Sequence, residues 1–177
     1  MLKNDTNRYE NVLAVAFLYG APAQLVIRKR SGIKNPEDLV GKKVGVGNAC
    51  SGAFANCELF LNHLGIWDRI ERNAMGYNDA AAAFGNKQLD AFWLFTAFPS
   101  GAVIMAAQTN DIGLIDLGAW ARNFGFFEKY PYFTKLSVPA GTYRGVNYEA
   151  PSFQDSTLWV ASSETPADLV YDLLSLI

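Results

Sequence analysis

Residues 42–65, KKVGVGNACSGAFANCELFLNHLG, constrain the fold more than any other part of the sequence. Val44 and Val46 alternate with glycines, which predicts a short β-strand, and a turn of small residues follows it. The spacing of four apolar residues then predicts an amphipathic helix that ends at Gly65: Phe54, Cys57, Leu61 and Leu64. A strand, a tight turn and a helix in this order are the building unit of an α/β fold.

The turn at residues 48–53 is a candidate anion site. The first amides of a helix have no partner inside the helix, and they carry the positive end of the helix dipole. A carboxylate or another anion would bind there to Asn48, Ser51, Gly52 and Ala53, through backbone N–H groups and the Ser51 hydroxyl. Small-residue turns also serve packing alone, so the residues by themselves leave both interpretations open.

Strands and helices of about ten residues alternate along much of the remaining sequence. Further strands are predicted at six places: residues 11–19, 24–29, 73–76, 89–95, 112–117 and 156–161. Helices are predicted at residues 79–84 with Asn78 as N-cap, at residues 100–108 after Pro99, and at residues 118–127. A short helix is predicted to begin at Asn35 and Pro36, and a last helix to begin at residues 165–168 and to run to the end of the chain. Gly20, Ala21 and Pro22 are expected to break the first strand. The pattern predicts parallel β-α-β units in a sheet with helices on both faces.

Charge and hydropathy exclude two classes of protein. A net charge of -2, from 15 basic and 17 acidic residues, gives no footprint for nucleic acid. Residues 91–110 are uncharged and long enough to span a bilayer, but Phe98, Pro99, Ser100 and Gly101 interrupt them, so we predict a strand end and a helix start instead. The polar first residues lack the apolar core of a secretion signal, which predicts either a cytoplasmic protein or a shortened chain.

The cysteines and the single histidine allow an enzyme as an alternative. Cys50 and Cys57 are expected on one helix about 10 Å apart along its axis, so they stay unpaired. Cys50 at a helix N-terminus is a possible nucleophile, but His63, the only imidazole base, would lie roughly 20 Å away. His63 also has no second metal ligand near it in sequence, and we predict neither a metal nor a cofactor.

Five segments together resemble a known family: GIKNPEDLVGKKVGVG, CSGAFANCELFLNHLGI, GNKQLDAFWLF, EKYPYFTKLSVPAGTYRG and TPADLVYDLL. They are similar to the TAXI group of solute-binding proteins, the extracytoplasmic receptors of TRAP transporters. The likeness covers nearly the whole chain from about Leu13, and YPY and PAGTY are its most specific parts.

The resemblance implies the fold of a type II periplasmic binding protein, an α/β fold with a parallel-rich sheet and two lobes, one complete here and the other partial. The implied division is residues 1–23 as part of lobe one with a hinge strand, 24–135 as lobe two, and 136–177 as a return crossover with more of lobe one. The Gly-rich first segment and the export signal of the family are absent before Leu13, and the last helix lacks its end, so the chain resembles a shortened receptor.

The resemblance also implies a non-catalytic function. The expected ligand is a small organic acid, a carboxylate or an amino acid such as glutamate, which the receptor delivers to TRAP membrane subunits from the periplasm or another extracytoplasmic space. Further ligand contacts are expected at the end of the strand 89–95 and beside the hinge: Phe95, Thr96, Pro99, Tyr19 and Tyr143. The family's Gly-Ser-Gly-Thr turn is replaced by CSGA, so Ala53 removes a hydroxyl that would touch ligand.

Two alternatives stay open at this point. One is the effector-binding domain of a transcription regulator, which shares the two-lobed fold, although no helix-turn-helix is evident. The other is a small-molecule-processing enzyme with Cys50 as its nucleophile.

Overall fold

The computed structural model describes residues 10–176, which fall into two compact units. Unit 1 comprises residues 1–19 and 156–177, and unit 2 comprises residues 20–155. Two long strands, β1 (Val12–Arg28) and β7 (Ala150–Ser162), run through both units. Unit 1 also contains helix α6 (Ala167–Leu174).

Unit 2 alternates short strands and helices after β1. Its strands are β2 (Lys43–Gly45), β3 (Glu71–Asn73), β4 (Ala91–Phe95), β5 (Ile112–Leu114) and β6 (Thr134–Val138). Its helices are α1 (Gly52–His63), α2 (Tyr77–Gly85), α3 (Gly101–Thr109), α4 (Leu117–Asn123) and α5 (Phe126–Lys129), with short 3-10 helices at Pro36–Leu39 and Trp67–Arg69.

The strands form one mixed sheet. Its order is β3-β2-β4-β1-β7-β6, and β5 pairs with β1 beside this path. β2 is parallel to β3 and β4, whereas β1 is antiparallel to β4 and β5, and β6 is antiparallel to β7. The predicted α/β class is confirmed, with its parallel pairing confined to β3-β2-β4.

Helices cover both faces of unit 2's sheet, as predicted. The side chains of β4 alternate, so Ala91 and Trp93 enter one core while Phe92 and Leu94 enter the other. The first, the aromatic core, joins Trp93 to Phe60 of α1, Phe126 of α5 and Phe153 of β7. The second core packs alanines of α2 and α3 against Phe92, Leu94 and Val26: Ala80, Ala81, Ala102, Ala106 and Ala107. Small side chains let these two helices approach each other and the sheet closely.

The expected break at Gly20, Ala21 and Pro22 is wrong, because β1 continues through them as one strand. A Cβ at Gly20 would collide with the side-chain oxygen of Gln154, so the glycine serves a close cross-strand contact. Pro22 has no N–H to donate, but its carbonyl accepts the amide of Thr96 at 3.4 Å. Strand 24–29 is therefore the second half of β1.

Several predicted boundaries also move. The strand expected at 73–76 lies at Glu71–Asn73, and Gly76 rather than Asn78 is the N-cap of α2. The strand expected at 156–161 is the end of the longer β7, and α6 stops at Leu174 instead of continuing to Ile177, which lies outside the described residues. These boundaries differ because pairing with neighbouring strands extends or shifts the segments that local propensity predicts.

The uncharged run at residues 91–110 divides as predicted into β4, a turn and α3. Within residues 10–176, none of the helices combines the length and the apolar character required to cross a bilayer.

Truncating the centre of the aromatic core tests its packing. Phe153 is fully buried, and its ring centroid lies 4.6 Å from that of Phe60 and 4.9 Å from that of Phe126. We expect Phe153→Ala to lower the free energy of unfolding by about 3–5 kcal/mol in urea denaturation, because a cavity replaces these contacts. The control Phe124→Ala removes a half-exposed ring and should change stability by less than about 0.5 kcal/mol. Equal losses in the two variants would show that Phe153 does not anchor the core.

Candidate functional site

Three turns meet at one edge of the sheet in unit 2. Because β2, β3 and β4 are parallel, their carboxyl ends lie at the same edge. The turns that follow lead into α1, α2 and α3, whose N-caps are Ser51, Gly76 and Ser100. Ligands of open α/β sheets bind at this edge, so we call these turns the ligand edge.

The first turn is held close to the start of α1 by Gly47. Its φ of +92° is in the region that favours glycine, and a Cβ there would lie 3.0 Å from the Phe54 nitrogen and 3.2 Å from the Ala53 Cβ. The carbonyl of Gly47 accepts the Met75 amide at 3.0 Å, which ties this turn to the one before α2. The sequence therefore folds the strand end directly over the first helical turn.

Ser51 caps α1 rather than offering its hydroxyl to a ligand. Its Oγ accepts the Phe54 amide at 3.1 Å and donates to the Asn48 carbonyl at 2.7 Å. The amides of Gly52 and Ala53 have no hydrogen-bond acceptor in the part of the chain that the structure describes. Gly52 is exposed, and the space where its Cβ would stand is open. The donors available for an anion at this turn are thus backbone N–H groups.

Asn48 lies next to the first turn of α2 as well. A Cβ at Gly76 would stand 3.6 Å from the Asn48 Nδ2 and 3.5 Å from the Asp79 Oδ2. The exposed side-chain amide of Asn48 and the carboxylate of Asp79 therefore both lie near Gly76, at the start of α2. The negative charge of Asp79 interacts favourably with the positive end of the α2 dipole. It would repel a second negative charge placed nearby.

The third turn is fixed from beneath by a buried polar chain. The Gln24 Nε2 donates to the Thr96 carbonyl at 3.1 Å, and the Tyr143 hydroxyl donates to the Gln24 Oε1 at 2.7 Å. The same hydroxyl accepts the Ser100 amide at 2.9 Å. Burial raises the pKa of Tyr143, and its two hydrogen bonds oppose that shift. Tyr143, expected to touch ligand, thus has its hydroxyl engaged in positioning the turn.

Tyr77 also holds the edge together and was missed by the sequence analysis. Its hydroxyl donates to the Phe95 carbonyl at 3.1 Å and accepts the Phe95 amide at 3.2 Å, which fastens α2 to the end of β4. Desolvation raises the pKa of Tyr77. No local pattern marks this tyrosine, because its partner lies 18 residues away.

The remaining predicted contacts differ in exposure. Phe95 is half-buried, with its ring 6.1 Å from that of Phe153, so much of it belongs to the aromatic core. Thr96 is half-buried and Pro99 is exposed, both in the third turn. Tyr19 is 50% exposed and lies in the part of β1 that belongs to unit 1. All the other predicted contacts belong to unit 2.

The residues of the enzyme alternative are engaged elsewhere or far apart. Cys50 is exposed just before α1, whereas His63 is the last residue of that helix, with its Nε2 2.8 Å from the Phe124 carbonyl. The His63 ring also packs against Phe126 and Tyr130. Cys57 is buried, which raises the pKa of its thiol, and both cysteines are free. Among residues 10–176, no cluster of His, Cys, Asp and Glu has the arrangement needed to hold a metal ion.

A cavity of about 360 Å³ lies away from the ligand edge. It is lined by residues 107–111 together with Arg144 and Gly145, at the C-terminal end of α3. The N-terminus of α3, at the ligand edge, is about 12 Å distant along the helix axis. Its lining contains the charged side chains of Asp111 and Arg144, and none of the residues predicted to contact a ligand.

Comparison with known proteins gives one family. A model of the NMT1-like family matches residues 3–177.

Several solved structures resemble the chain loosely. The periplasmic aliphatic sulphonate binding protein SsuA from Escherichia coli is 19% identical with a TM-score of 0.47, over 67% of this chain and 45% of that one. A mutant of ArgBP from T. maritima is 19% identical with a TM-score of 0.46, over 99% and 58%. A TRAP periplasmic solute binding protein from Rhodoferax ferrireducens with bound malonate is 13% identical with a TM-score of 0.49, over 97% and 41%. These three are described as binding proteins, and the chain spans about half of their length.

Thiol labelling distinguishes the two cysteines. We expect iodoacetamide to modify Cys50 in the native protein and to leave Cys57 unmodified, because Cys57 is buried and its pKa is raised. Mass spectrometry of tryptic peptides measures both sites, and labelling in urea is the control in which both react. Native labelling of Cys57 at the rate of Cys50 would contradict the packing of α1.

Removing one hydroxyl tests the buried polar chain. We expect Tyr143→Phe to lower the free energy of unfolding by about 1–3 kcal/mol, since the Gln24 Oε1 and the Ser100 amide lose their partner while buried. Urea denaturation measures the loss, and Tyr171→Phe, which alters an exposed ring, is the matched control. Unchanged stability of Tyr143→Phe would mean that the third turn does not depend on this chain.

Proposed function

We propose, because the chain belongs to the NMT1-like family, that it captures a small organic acid at the ligand edge without catalysing a reaction. The observation that carries the proposal is the pair of amides at Gly52 and Ala53, which lack acceptors among the described residues, at a turn where Gly52 is exposed and a Cβ on it would meet open space. A carboxylate there would receive charge-assisted hydrogen bonds at the positive end of α1.

The charges near the edge favour an amino acid over a dicarboxylate. The three turns, at residues 47–51, 74–76 and 96–100, contain no lysine or arginine, so backbone amides meet the ligand's negative charge. The Asp79 carboxylate lies near Gly76 at the start of α2 and would attract an ammonium group while repelling a second carboxylate. A zwitterion fits both features, with its carboxylate on α1 and its ammonium group toward Asp79.

We further propose that the whole protein is a receptor of the TAXI group. This rests on the five sequence segments described above, and it assigns TRAP membrane subunits as partners and an extracytoplasmic location. Of the nine residues predicted to contact the ligand, we keep seven as proposed ligand-site residues: Asn48, Ser51, Gly52, Ala53, Phe95, Thr96 and Pro99. Ser51 and Phe95 would shape the site rather than donate to the ligand, since the Ser51 hydroxyl and amide and the Phe95 amide and carbonyl are already hydrogen-bonded within the protein.

A charge placed at the start of α1 tests the binding mode. Gly52 offers an open position, so Gly52→Asp and Gly52→Asn introduce side chains of equal size that differ in charge. We expect Gly52→Asp to weaken carboxylate binding at least tenfold, about 1.4 kcal/mol, by repulsion, and Gly52→Asn to weaken it much less. Isothermal titration with glutamate, arginine, malonate and methanesulfonate measures both variants beside the parent chain.

The same titrations decide whether the proposal stands. Heat from methanesulfonate and from none of the three carboxylates, glutamate, arginine and malonate, would refute the carboxylate assignment. Equal weakening by Gly52→Asp and Gly52→Asn would show that bulk, and not charge, matters at this turn. Malonate bound more tightly than glutamate or arginine would overturn the preference for an amino acid.

A further inference from the structure

The cavity of about 360 Å³ in unit 2 is separate from the proposed organic-acid site. It lies at the C-terminal end of α3, whereas the ligand edge is at the N-terminal end of that helix. Pockets that hold small molecules measure about 300–1,000 Å³, so the cavity has the volume for one small ligand. Its lining is mostly polar, so hydrogen bonds and charges would decide which ligand fits.

Arg144 brings an unpaired positive charge to this cavity. Its side chain takes part in none of the ion pairs among residues 10–176. The residue is exposed, on the turn between Tyr143 and Val146 that the Val146 amide closes on the Tyr143 carbonyl at 3.0 Å. A guanidinium presents two parallel N–H donors that match the two oxygens of a carboxylate.

The carboxylate in the lining is already neutralised. The Lys29 Nζ lies 3.2 Å from the Asp111 Oδ1. This ion pair borders the backbone of Gly145, where a Cβ would stand 3.5 Å from the Asp111 Oδ1 and 3.7 Å from the Lys29 Nζ. Two cations, Arg144 and Lys29, and one carboxylate leave the cavity and its border with one positive charge.

The last turn of α3 adds hydrogen-bond acceptors to the same cavity. Within the described chain, the carbonyls of Ala107, Gln108 and Thr109 accept no backbone amide from the residues that follow the helix. The Asn110 amide bonds instead to the Ala106 carbonyl at 3.1 Å. Carbonyls at a helix end point beyond its C-terminus and carry partial negative charge. They would accept hydrogen bonds from a ligand that has neutral donors.

An anion that also carries hydroxyl groups fits both parts of the lining. Its carboxylate would pair with Arg144, and its hydroxyls would donate to the carbonyls at the end of α3. An ammonium group would find no unpaired carboxylate there, because Asp111 is paired with Lys29. From these features we infer that the cavity is a second binding site, which takes a small hydroxylated monocarboxylate of the sugar-acid class.

Isothermal titration of the full 177-residue chain with gluconate tests the inference. We expect Arg144→Gln to weaken gluconate binding at least tenfold, because charge-assisted hydrogen bonds are lost. Arg122→Gln alters another exposed arginine, on α4 and outside the lining, and should leave gluconate binding unchanged. Glucose, which lacks the carboxylate, and hexanoate, which lacks the hydroxyls, should each bind more weakly than gluconate.

The Gly52→Asp variant separates this cavity from the ligand edge. Gly52 is not part of the cavity lining, so we expect Gly52→Asp to leave gluconate binding unchanged. Gluconate binding that Gly52→Asp abolishes and Arg144→Gln retains would assign gluconate to the ligand edge and overturn the inference. A parent chain that binds gluconate, but none of glutamate, arginine and malonate, would refute the proposed function and support the inference.

Circular dichroism reports whether each variant folds. If Arg144→Gln loses its structure, the decision rests on Gln108→Glu, which adds a negative charge at an exposed residue of the lining and should weaken gluconate binding several-fold by repulsion. No heat from gluconate at about 10 mM overturns the inference. So does equal weakening by Arg144→Gln and Arg122→Gln, or binding of glucose or hexanoate as tight as that of gluconate.

Discussion

The fold of unit 2 depends on the burial of β4 on both of its faces. Ala91, Phe92, Trp93 and Leu94 are all fully buried, and their side chains alternate between the two cores. Such a strand is stable only if helices cover the sheet on each side. The helices α1, α2 and α3 each follow one of the parallel strands β2, β3 and β4. Their N-termini therefore lie together at the ligand edge, as a consequence of how the helices cover the core.

At that edge, the polar side chains are engaged in hydrogen bonds within the protein. The hydroxyls of Ser51, Tyr77 and Tyr143 are bonded to the protein's own backbone or to Gln24. Among the described residues, the Gly52 and Ala53 amides have no acceptor, and neither do the first amides of α2 and α3, whose N-caps make no side-chain hydrogen bond to them. In the proposed site these donors would be in place before a ligand arrives, which would limit the entropy lost on binding.

The two units differ in how completely they bury the side chains of strand segments with similar apolar content. The first half of β1 is as apolar as its second half, yet only the second half is covered. Hydrophobicity alone therefore does not decide where the core lies. Unit 2 provides helices for both faces of its strands, whereas the described part of unit 1 offers one helix to a two-stranded ribbon.

Local sequence patterns are enough to predict most of the individual helices and strands. The strand-turn-helix unit at residues 42–65 lies where it was predicted, and so does the short helix opened by Asn35 and Pro36, with the Asp38 carboxylate accepting the Asn35 amide at 2.8 Å. Alternation of strands and helices gave the α/β class, and the turn at residues 48–53 was identified because capping and turn preferences act over a few residues.

Contacts between residues far apart in sequence become visible only in the folded chain. Tyr143 bonds the Ser100 amide 43 residues away, and His63 contacts the Phe124 carbonyl 61 residues away. Gly20 lies within the continuous strand β1, and the Gln154 side chain leaves no room for a Cβ there. The local sequence around Gly20 favours a break instead. These outcomes depend on which segments the sheet brings together, and neither periodicity nor propensity contains that information.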